Sequence, residues 1–259
     1  YGGQIYWLCS APIQVWTKYQ VVKEFGICPI QLSGWNKLKF SIVIPSYDHW
    51  DLTHSLLFDI YNNFPQDVEI LVVDDCSPDA EVLKGLAWWM DGMLKGRLHV
   101  LINKGNVGFL RTCNFGVSKA TGEIIMLISN DVRIADKQVV DRLGWIFDVA
   151  TIPTLVGARL LDYDTGWNTI GGNIQNYLEG WFLAFKKSEW DTFGGFDIRY
   201  TFADMEDLDL STTYQRCGGQ LILLENEMIH LGAQTYKYSL EREANTRANQ
   251  ERWREKWQS

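Results

Sequence analysis

From residue 38 onward, short runs of apolar and β-branched residues alternate with longer stretches in which apolar residues recur every three or four positions. The short runs are typical of buried parallel strands, and the longer stretches are typical of amphipathic helices. Four strands are predicted in this way, in the segments KFSIVIPSY, VEILVVDD, RLHVLIN and EIIMLIS. Their alternation with helices predicts an α/β fold, in which helices cover both faces of a mostly parallel, Rossmann-like sheet.

The helices predicted between these strands begin and end at recognisable signals. The segment DLTHSLLFDIYNNF has helical spacing. The string Ser77-Pro78-Asp79 offers a capping residue for the helix that follows the second strand to about residue 96. Two further helices are predicted at residues 107–120 and 137–149.

After Asp131 the alternation becomes less regular, and we expect this half of the chain to form a smaller subregion beside the main sheet. The elements predicted there are a strand at residues 155–161, a glycine-rich passage through Gly171-Gly172, a helix at residues 205–217 and two short strands in QLILLENEMIH.

These patterns divide the chain into three parts. Residues 1–37 are aromatic and irregular, and they fit either an extension of the domain or part of a neighbouring domain. Residues 38–238 carry the α/β pattern, and residues 239–259 are predicted to form an amphipathic C-terminal helix. Because Tyr1 rather than Met opens the sequence, we expect a piece of a longer protein with additional domains.

Composition and charge narrow the class of protein. Hydrophobic residues make up 46% of the 259 residues, which is enough for a sizeable core. A net charge of -8 and a pI near 5.0 argue against a nucleic-acid partner, which would require a basic face. The five cysteines are odd in number and scattered, so we expect neither a disulfide framework nor a zinc site, but a reducing, cytoplasmic location.

Polar residues follow each of the four predicted strands. In an open parallel sheet, ligands bind beyond the carboxyl ends of the strands, so we expect these residues to converge on one site. Asp74 and Asp75 are predicted to accept hydrogen bonds from a nucleotide base or ribose, although either could instead cap the following helix or loop. The candidates at the strand ends are Pro45, Ser46, Tyr47, Asp48, Asp74, Asp75, Asn106, Gly108, Ser129, Asn130 and Asp131.

Two residues are candidates for binding a metal ion. If the carboxylate of Asp131 faces a diphosphate, a divalent cation is needed between the like charges. The alternative is an aspartate in an Asn-Asp turn. His230 ends a short apolar strand, where a lone histidine is more often a structural residue than a ligand.

Three acidic residues stand within four positions at the start of a predicted helix. Glu206, Asp207 and Asp209 would all interact favourably with the helix macrodipole, which is one explanation for the cluster. The other is that one carboxylate points into a cleft and takes a proton from a hydroxyl group as a general base. The apolar residues that alternate with the acids favour this second interpretation.

Taken together, these strings resemble the family 2 glycosyltransferases, which have the GT-A fold. The resemblance runs from about Phe40 to His230, and the order and spacing of its strings are specific although each string alone is weak evidence. NVGF and the Asn-Asp ending of the fourth strand are most similar to bacterial transferases of the rhamnosyl and O-antigen type. The strings are SIVIPSYD, ILVVDDCSPD, NKGNVGF followed by Asn114 and Gly116, GEIIMLISNDV, GWFLAFKKSEWDTFGGFD, MEDLDL and HLG.

The resemblance implies an inverting hexosyltransferase. Such an enzyme moves a sugar from a nucleoside-diphosphate sugar to a hydroxyl of a glycan or lipid-linked acceptor. The resemblance implies that Asp207 is the catalytic base, beside Glu206, and that Asn114 contacts the nucleotide sugar. Gly180 and Trp181 would lie in the acceptor or sugar pocket.

The resemblance also implies a divalent metal, Mn or Mg. The family's Asp-x-Asp motif reads Ser129-Asn130-Asp131 in this sequence, so only the final acid of the motif is kept. His230 matches the family's later metal ligand. Asp131 and His230 are therefore the expected metal ligands.

Two other functions fit parts of the pattern. A nucleotidylyltransferase has a similar sheet, but it usually carries a glycine-rich loop with Arg and Lys after its first strand, and that loop is missing here. A non-catalytic carbohydrate-binding or scaffold module would be marked by loss of the base, whereas Asp207 is present.

The C-terminal helix has two interpretations. It carries Trp253 and Trp257 among basic residues, which is typical of a helix that lies on an anionic bilayer. Such a contact would place the protein at the inner face of the membrane. The resemblance to transferases of the O-antigen type implies a role in polysaccharide biosynthesis for the cell envelope. Because acidic residues balance the basic ones, the favoured alternative is a helix whose tryptophans pack on the domain.

Overall fold

The computed structural model describes residues 14–16, 38–164, 174–201, 204–224, 228–232 and 240–258. The strands in these ranges are β1 (Gln14–Trp16), β2 (Phe40–Ser46), β3 (Glu69–Asp74), β4 (Leu98–Ile102), β5 (Ile124–Ile128), β6 (Val132–Ile134), β7 (Thr154–Gly157), β8 (Leu160–Asp164), β9 (Ile174–Leu178), β10 (Phe182–Lys186), β11 (Gln220–Leu224) and β12 (Met228–His230). The helices are α1 (Trp50–Asn63), α2 (Ala80–Asp91), α3 (Phe109–Lys119), α4 (Val139–Val149), α5 (Lys187–Phe193), α6 (Glu206–Arg216) and α7 (Leu240–Gln258).

An eight-stranded sheet forms the centre of the described structure, with the strand order β1-β11-β7-β10-β5-β2-β3-β4. β2 pairs in parallel with β3 and β5, and β3 pairs in parallel with β4. β10 runs antiparallel between β5 and β7. Every residue of β2 and β5 is buried, as expected for apolar strands that are covered on both faces. The predicted α/β fold with a mostly parallel sheet is confirmed.

Helices cover both faces of this sheet and divide the core into two layers. Ile42 and Ile44 of β2 belong to the layer that contains side chains of α1, α2 and α4. Val43 belongs to the other layer, with side chains of α3, α5, α6 and α7. Successive residues of a strand point to opposite faces, so one apolar run supplies both layers. The carboxyl ends of the parallel strands are left as the edge on which a site can form.

The second half of the chain differs from the sequence prediction in several elements. The strand expected at residues 155–161 is divided between β7 and β8, and the helix expected to reach about residue 96 ends at Asp91. The hairpin of β8 and β9, strand β10 and helix α5 were not predicted. β10 is only five residues long, FLAFK, and periodicity does not distinguish a strand from a helix in so short an apolar run.

Part of the N-terminal extension belongs to the sheet. β1 pairs in parallel with β11, with Gln14 opposite Ile222 and Trp16 opposite Leu224. The remainder of residues 1–37 and the glycine-rich passage at Gly171-Gly172 lie outside the described residues. Among the helices that the structure describes, none is long and apolar enough to cross a bilayer.

Candidate active site

A cavity of about 910 Å³ opens at the carboxyl ends of the parallel strands. One side of it, which we call the strand-end wall, is formed by the last residues of β2 and by residues that follow β2, β3, β4 and β5. The other side, the α6–α7 wall, is formed by the β8–β9 hairpin, the turn before β10, the start of α6 and the first turns of α7. The predicted site residues that line the cavity are Pro45, Ser46, Tyr47, Asp75, Asn106, Gly108, Ser129, Asn130, Asp131, Gly180, Trp181, Glu206, Asp207 and His230.

Asp75 holds the loop that precedes α3. Its Oδ1 accepts hydrogen bonds from the backbone N–H of Val107 at 2.9 Å and from Asn103 Nδ2 at 2.8 Å, and its Oδ2 accepts one from the N–H of Gly108 at 2.8 Å. Gly108 has a φ of 86°, a conformation that favours glycine. Asp75 thus fixes the part of the strand-end wall that includes Asn106 and Gly108. This is the alternative role considered for Asp75, in which its carboxylate caps a loop.

Three predicted nucleotide contacts do not line the cavity. Asp74 is buried and accepts hydrogen bonds from the backbone N–H and the hydroxyl of Ser77. The backbone N–H of Asp48 donates to the same hydroxyl at 2.8 Å. Asn114 donates to the carbonyl of Phe196 at 2.8 Å and accepts from its N–H at 3.1 Å. Because their polar atoms bond to other parts of the protein, Asp74 and Asn114 support the site from behind.

A buried hydroxyl connects the ends of β2 and β5. The Thr53 hydroxyl lies 2.9 Å from the Ser46 hydroxyl and accepts a hydrogen bond from Asn130 Nδ2 at 3.1 Å. The backbone N–H of Ser129 donates to the carbonyl of Trp181 at 2.9 Å. These contacts hold the Ser129-Asn130-Asp131 string in one conformation at the floor of the cavity.

The two predicted metal ligands lie next to each other. β6 and β12 pair antiparallel with His230 opposite Val132, which brings His230 Nε2 to 3.4 Å from Asp131 Oδ1. The Trp181 ring stacks on the His230 ring, with centroids 5.2 Å apart and planes 15° apart. Within the part of the chain that the structure describes, no cluster of three or more His, Cys, Asp or Glu side chains could hold a metal ion. Among the described residues, Asp131 and His230 are therefore the two side chains placed to bind a metal ion here.

The carboxylate of Asp207 is positioned by two backbone N–H groups. Its Oδ2 accepts from Gly180 at 3.1 Å, and its Oδ1 accepts from Leu208 at 2.8 Å. Gly180 is suited to this contact, since a Cβ atom there would come within 3.3 Å of the Asp207 Cβ. Burial raises the pKa of Asp207 to about 6 and outweighs these hydrogen bonds, which lower it.

Glu206 lies beside Asp207 in the α6–α7 wall and is only 6% exposed. Its Oε2 has no hydrogen-bond partner among the described residues. Burial, and then the negative charge of Asp207, raise the pKa of Glu206 well above its ordinary value. The two adjacent acids therefore have different surroundings: backbone N–H groups bond to both carboxylate oxygens of Asp207, whereas Oε2 of Glu206 has no partner among the described residues.

Asp209, the third acid of the cluster, has a structural environment. Its Oδ1 accepts hydrogen bonds from the Tyr200 hydroxyl at 3.0 Å and from Trp257 Nε1 at 2.7 Å, and its Oδ2 pairs with Lys256 Nζ at 2.8 Å. Trp253 is also buried, with its ring packed edge-on to Tyr163. Both tryptophans of α7 thus pack on the domain, as the favoured interpretation of that helix expected.

Several residues of the α6–α7 wall were not found by sequence reasoning. They come from the β8–β9 hairpin and the residue that follows it, from the start of α6 and the residues before it, and from the start of α7. Met205 and Leu208 belong to the string MEDLDL but were not singled out, and Asp204 and Glu179 each directly precede a recognised string. The residues are Tyr163, Tyr177, Glu179, Asp204, Met205, Leu208, Arg242 and Thr246; Phe109 and Thr112 of α3 also line the cavity without having been predicted.

Solved glycosyltransferase structures have the same fold as this chain. GalNAc-T7, solved with UDP, GalNAc and Mn2+, is 16% identical, with a TM-score of 0.67 over 85% of this chain and 49% of that chain. Mannosyltransferase PcManGT from Pyrobaculum calidifontis, solved with GDP-Man and Mn2+, is 19% identical, with a TM-score of 0.57 over 73% and 55%. TarS from S. aureus is 19% identical, with a TM-score of 0.56 over 73% and 59%.

Two curated relatives are inactive polypeptide N-acetylgalactosaminyltransferase-like protein 5 from Mus musculus and from Macaca fascicularis. The mouse protein is 22% identical over 236 residues, which are 76% of this chain and 54% of the relative. The macaque protein is 22% identical over 191 residues, which are 60% of this chain and 42% of the relative. The chain thus spans about half the length of the curated relatives that it matches.

Residues 41–190 match the family described as Glycosyl transferase family 2. The matched region is more than half of the 259 residues. It contains the whole strand-end wall, together with Gly180 and Trp181, and it ends before α6. On this match, the chain belongs to glycosyl transferase family 2.

Proposed function

We propose that the protein transfers a sugar from a nucleoside-diphosphate sugar to a hydroxyl group of a glycan or glycolipid, with inversion at the anomeric carbon. The observation that carries this proposal is that Asp207 faces the same cavity as the strand-end residues and the Asp131–His230 pair. One cavity therefore brings together the strand-end wall, a place for a cation and a base. Each of the three can serve transfer from an activated sugar.

The charge of the cavity supports a divalent cation as part of the proposed site. A nucleoside diphosphate is anionic, and few positive groups are available among the lining residues to neutralise it. The carboxylates are Asp75, Asp131, Glu179, Asp204, Glu206 and Asp207, and the basic groups are Arg242 and the imidazole of His230. A cation between Asp131 and the diphosphate would remove the repulsion.

The donor set of the Asp131–His230 pair fits Mn2+ or Mg2+. Mg2+ is commonly held by one or two carboxylates, with substrate phosphates and water in the remaining positions, and Asp131 supplies one such carboxylate. When bound, the ion would stabilise the negative charge of the departing diphosphate. Trp181 packs against one face of the His230 ring and so limits its orientations. GalNAc-T7 and PcManGT were solved with Mn2+, which is consistent with this assignment.

Asp207 is the proposed general base. Its pKa of about 6, raised by burial, leaves it ionised at neutral pH and able to accept a proton from an acceptor hydroxyl. The backbone N–H groups of Gly180 and Leu208 hold both carboxylate oxygens, so the base has a defined direction. Because the acceptor oxygen attacks the anomeric carbon directly, no covalent enzyme intermediate is required.

The second candidate is a non-catalytic module, which the names of the two curated relatives favour because both are described as inactive. Such a module would bind a nucleotide or a glycan without turnover. Asp207, Asp131 and His230 are all present and all line one cavity, which supports the catalytic alternative. The rhamnosyl or O-antigen branch, the acceptor and a membrane-associated location stay predictions.

Calorimetric titration with UDP, dTDP and GDP, each with and without Mn2+, tests the donor site. We expect one nucleotide to bind, and its affinity to rise at least about tenfold with the metal, since one charge-assisted contact alone is worth more than 1.4 kcal/mol. Incubation with the matching sugar nucleotides should then release free nucleoside diphosphate. If a nucleotide binds but no nucleoside diphosphate is released from its sugar nucleotide, with Mn2+ and every acceptor tried, the non-catalytic module is favoured. If no nucleotide binds, both the donor site and the proposed transfer are contradicted.

A further inference from the structure

Helix α7 contacts the segment that leads into α6 through a fully buried asparagine. Asn249 Oδ1 accepts a hydrogen bond from the backbone N–H of Thr201 at 3.1 Å. Its Nδ2 donates to the carbonyls of Thr201 and Asp204, also at 3.1 Å. A single side chain thus bonds to three backbone groups, two of Thr201 and one of Asp204. Alanine could replace none of these contacts.

The same turn is held a second time through the side chain of Asp204. Arg242 makes a two-pronged ion pair with its carboxylate, Nη2 to Oδ1 at 2.7 Å and Nε to Oδ2 at 3.1 Å. The Thr246 hydroxyl donates to Oδ2 at 2.7 Å. Arg242, Thr246 and Asn249 recur at intervals of three to four residues, so they lie on one face of α7.

The turn that these contacts hold has an unfavourable backbone conformation. Asp204 has a φ of 74° and Met205 a φ of 81°. Both values lie in the left-handed region, which is unfavourable for residues that have a Cβ atom. Such a conformation persists only where the surroundings over-determine it. The next two residues are Glu206 and Asp207, the first residues of α6. Any relaxation of the turn would therefore move the proposed base.

We propose that α7 is a positioning element of the active site: Asn249, Arg242 and Thr246 hold the Asp204-Met205 turn in its strained conformation and thereby aim the carboxylate of Asp207 into the cavity. Asn249 is buried and does not line the cavity, so it acts only through the turn, whereas Arg242 and Thr246 hold the turn and also line the cavity. The role in turnover rests on the proposed function, whereas the role in holding the turn does not.

The variants that test this proposal are Asn249→Ala and Thr246→Val, with Thr246→Ser as the conservative form that keeps the hydroxyl. Lys256→Met is the matched control, because Lys256 also docks α7 on the domain but bonds to Asp209 and Asp197 and not to the turn. Thr246→Val changes the fewest atoms, so it keeps the test decisive if Asn249→Ala does not fold.

The first measurement is amide hydrogen exchange, which needs no activity. We expect faster exchange across residues 204–208 in Asn249→Ala and Thr246→Val, and no change there in Thr246→Ser or Lys256→Met, whose lost partner Asp209 lies outside this window. Unchanged exchange in both turn variants would overturn the proposal.

The second measurement is turnover. A displacement of the base by about 1 Å costs on the order of 100-fold, so we expect kcat to fall by about 10- to 100-fold in the turn variants, with the nucleotide Kd unchanged and most of kcat recovered in Thr246→Ser. If Lys256→Met loses as much kcat as the turn variants, and the losses follow the decrease in melting temperature, α7 only stabilises the domain. That result would overturn the positioning role. An inactive parent protein would contradict the proposed function, while hydrogen exchange would still decide whether α7 holds the turn.

Discussion

The two walls of the cavity are constructed in different ways. The strand-end wall takes its residues from the ends of neighbouring parallel strands, so the register of the sheet places them. The α6–α7 wall is assembled from separate segments that side-chain hydrogen bonds hold together, such as the Arg242–Asp204 pair. We therefore expect substitutions in the first wall to change ligand affinity, and substitutions in the second to change turnover.

The largest effect should come from the α6–α7 wall, in the variant Asp207→Asn. Loss of a general base typically lowers the rate by about 100- to 10,000-fold, and we expect transfer to fall by that factor. Nucleotide affinity should stay within a few fold, because Asp207 acts on the acceptor proton. Steady-state kinetics and calorimetry on the same preparation measure both quantities.

Glu206→Gln is the comparison variant for this experiment, since it removes the neighbouring acid from the same wall. If Asp207→Asn keeps near-normal turnover and Glu206→Gln does not, the role of the base belongs to Glu206. If Asp207→Asn loses nucleotide affinity as well as turnover, the two walls do not divide ligand affinity and turnover between them.

The next largest effect should come from the Asp131–His230 pair, where Asp131 belongs to the strand-end wall. EDTA should stop the reaction, and Mn2+ or Mg2+ should restore it. Since even an outer partner of a metal ligand changes metal affinity by about 10- to 100-fold, His230→Ala should raise the metal concentration for half-maximal activity by at least about tenfold. Metal titrations of activity, with melting curves as the control, test this. Full activity in EDTA would contradict the metal site. If His230→Ala lowers only the melting temperature and leaves the metal requirement unchanged, the role of His230 is structural.

The smallest effect is a pH dependence confined to turnover. Burial raises the pKa of Asp207 to about 6, and the negative charge of Glu179 adds to the rise. Only the ionised base accepts a proton, so kcat should be level above this pH and fall about tenfold for each unit below it. Glu206, Asp204 with its partner Arg242, and Tyr177 also line this wall and will shift the midpoint. Rates measured between pH 5 and pH 8 would contradict the assignment if they showed no acid limb, or if Asp207→Asn retained it.

The fold and the strand-end wall could be predicted because both follow from local patterns. A buried β-branched run ending in polar residues is visible in the sequence, and parallel pairing brings such ends together. The pattern does not tell which of two adjacent side chains faces the cavity. Asp74 and Asp75 are neighbours, yet Asp74 bonds to Ser77 behind the cavity and only Asp75 lines it.

The α6–α7 wall could be predicted only at the residues that the family resemblance marks. Gly180, Glu206 and Asp207 belong to recognised strings, whereas Arg242 and Thr246 come from a helix whose charges suggest only solvent or membrane contact. Their partner Asp204 is 38 residues away from Arg242 in the chain, and nothing in local spacing indicates the pair. Contacts of this kind depend on tertiary packing.

The position of β1 has a consequence for aggregation. A strand at the edge of a sheet presents unpaired N–H and C=O groups that can recruit a strand of another molecule. β11 would be such an edge, and its sequence QLILL is almost entirely apolar. Gln14–Trp16 pairs with Ile222–Leu224 and occupies those groups from within the same chain. Three residues of the N-terminal extension thus protect the sheet from growing by addition of a second molecule at β11.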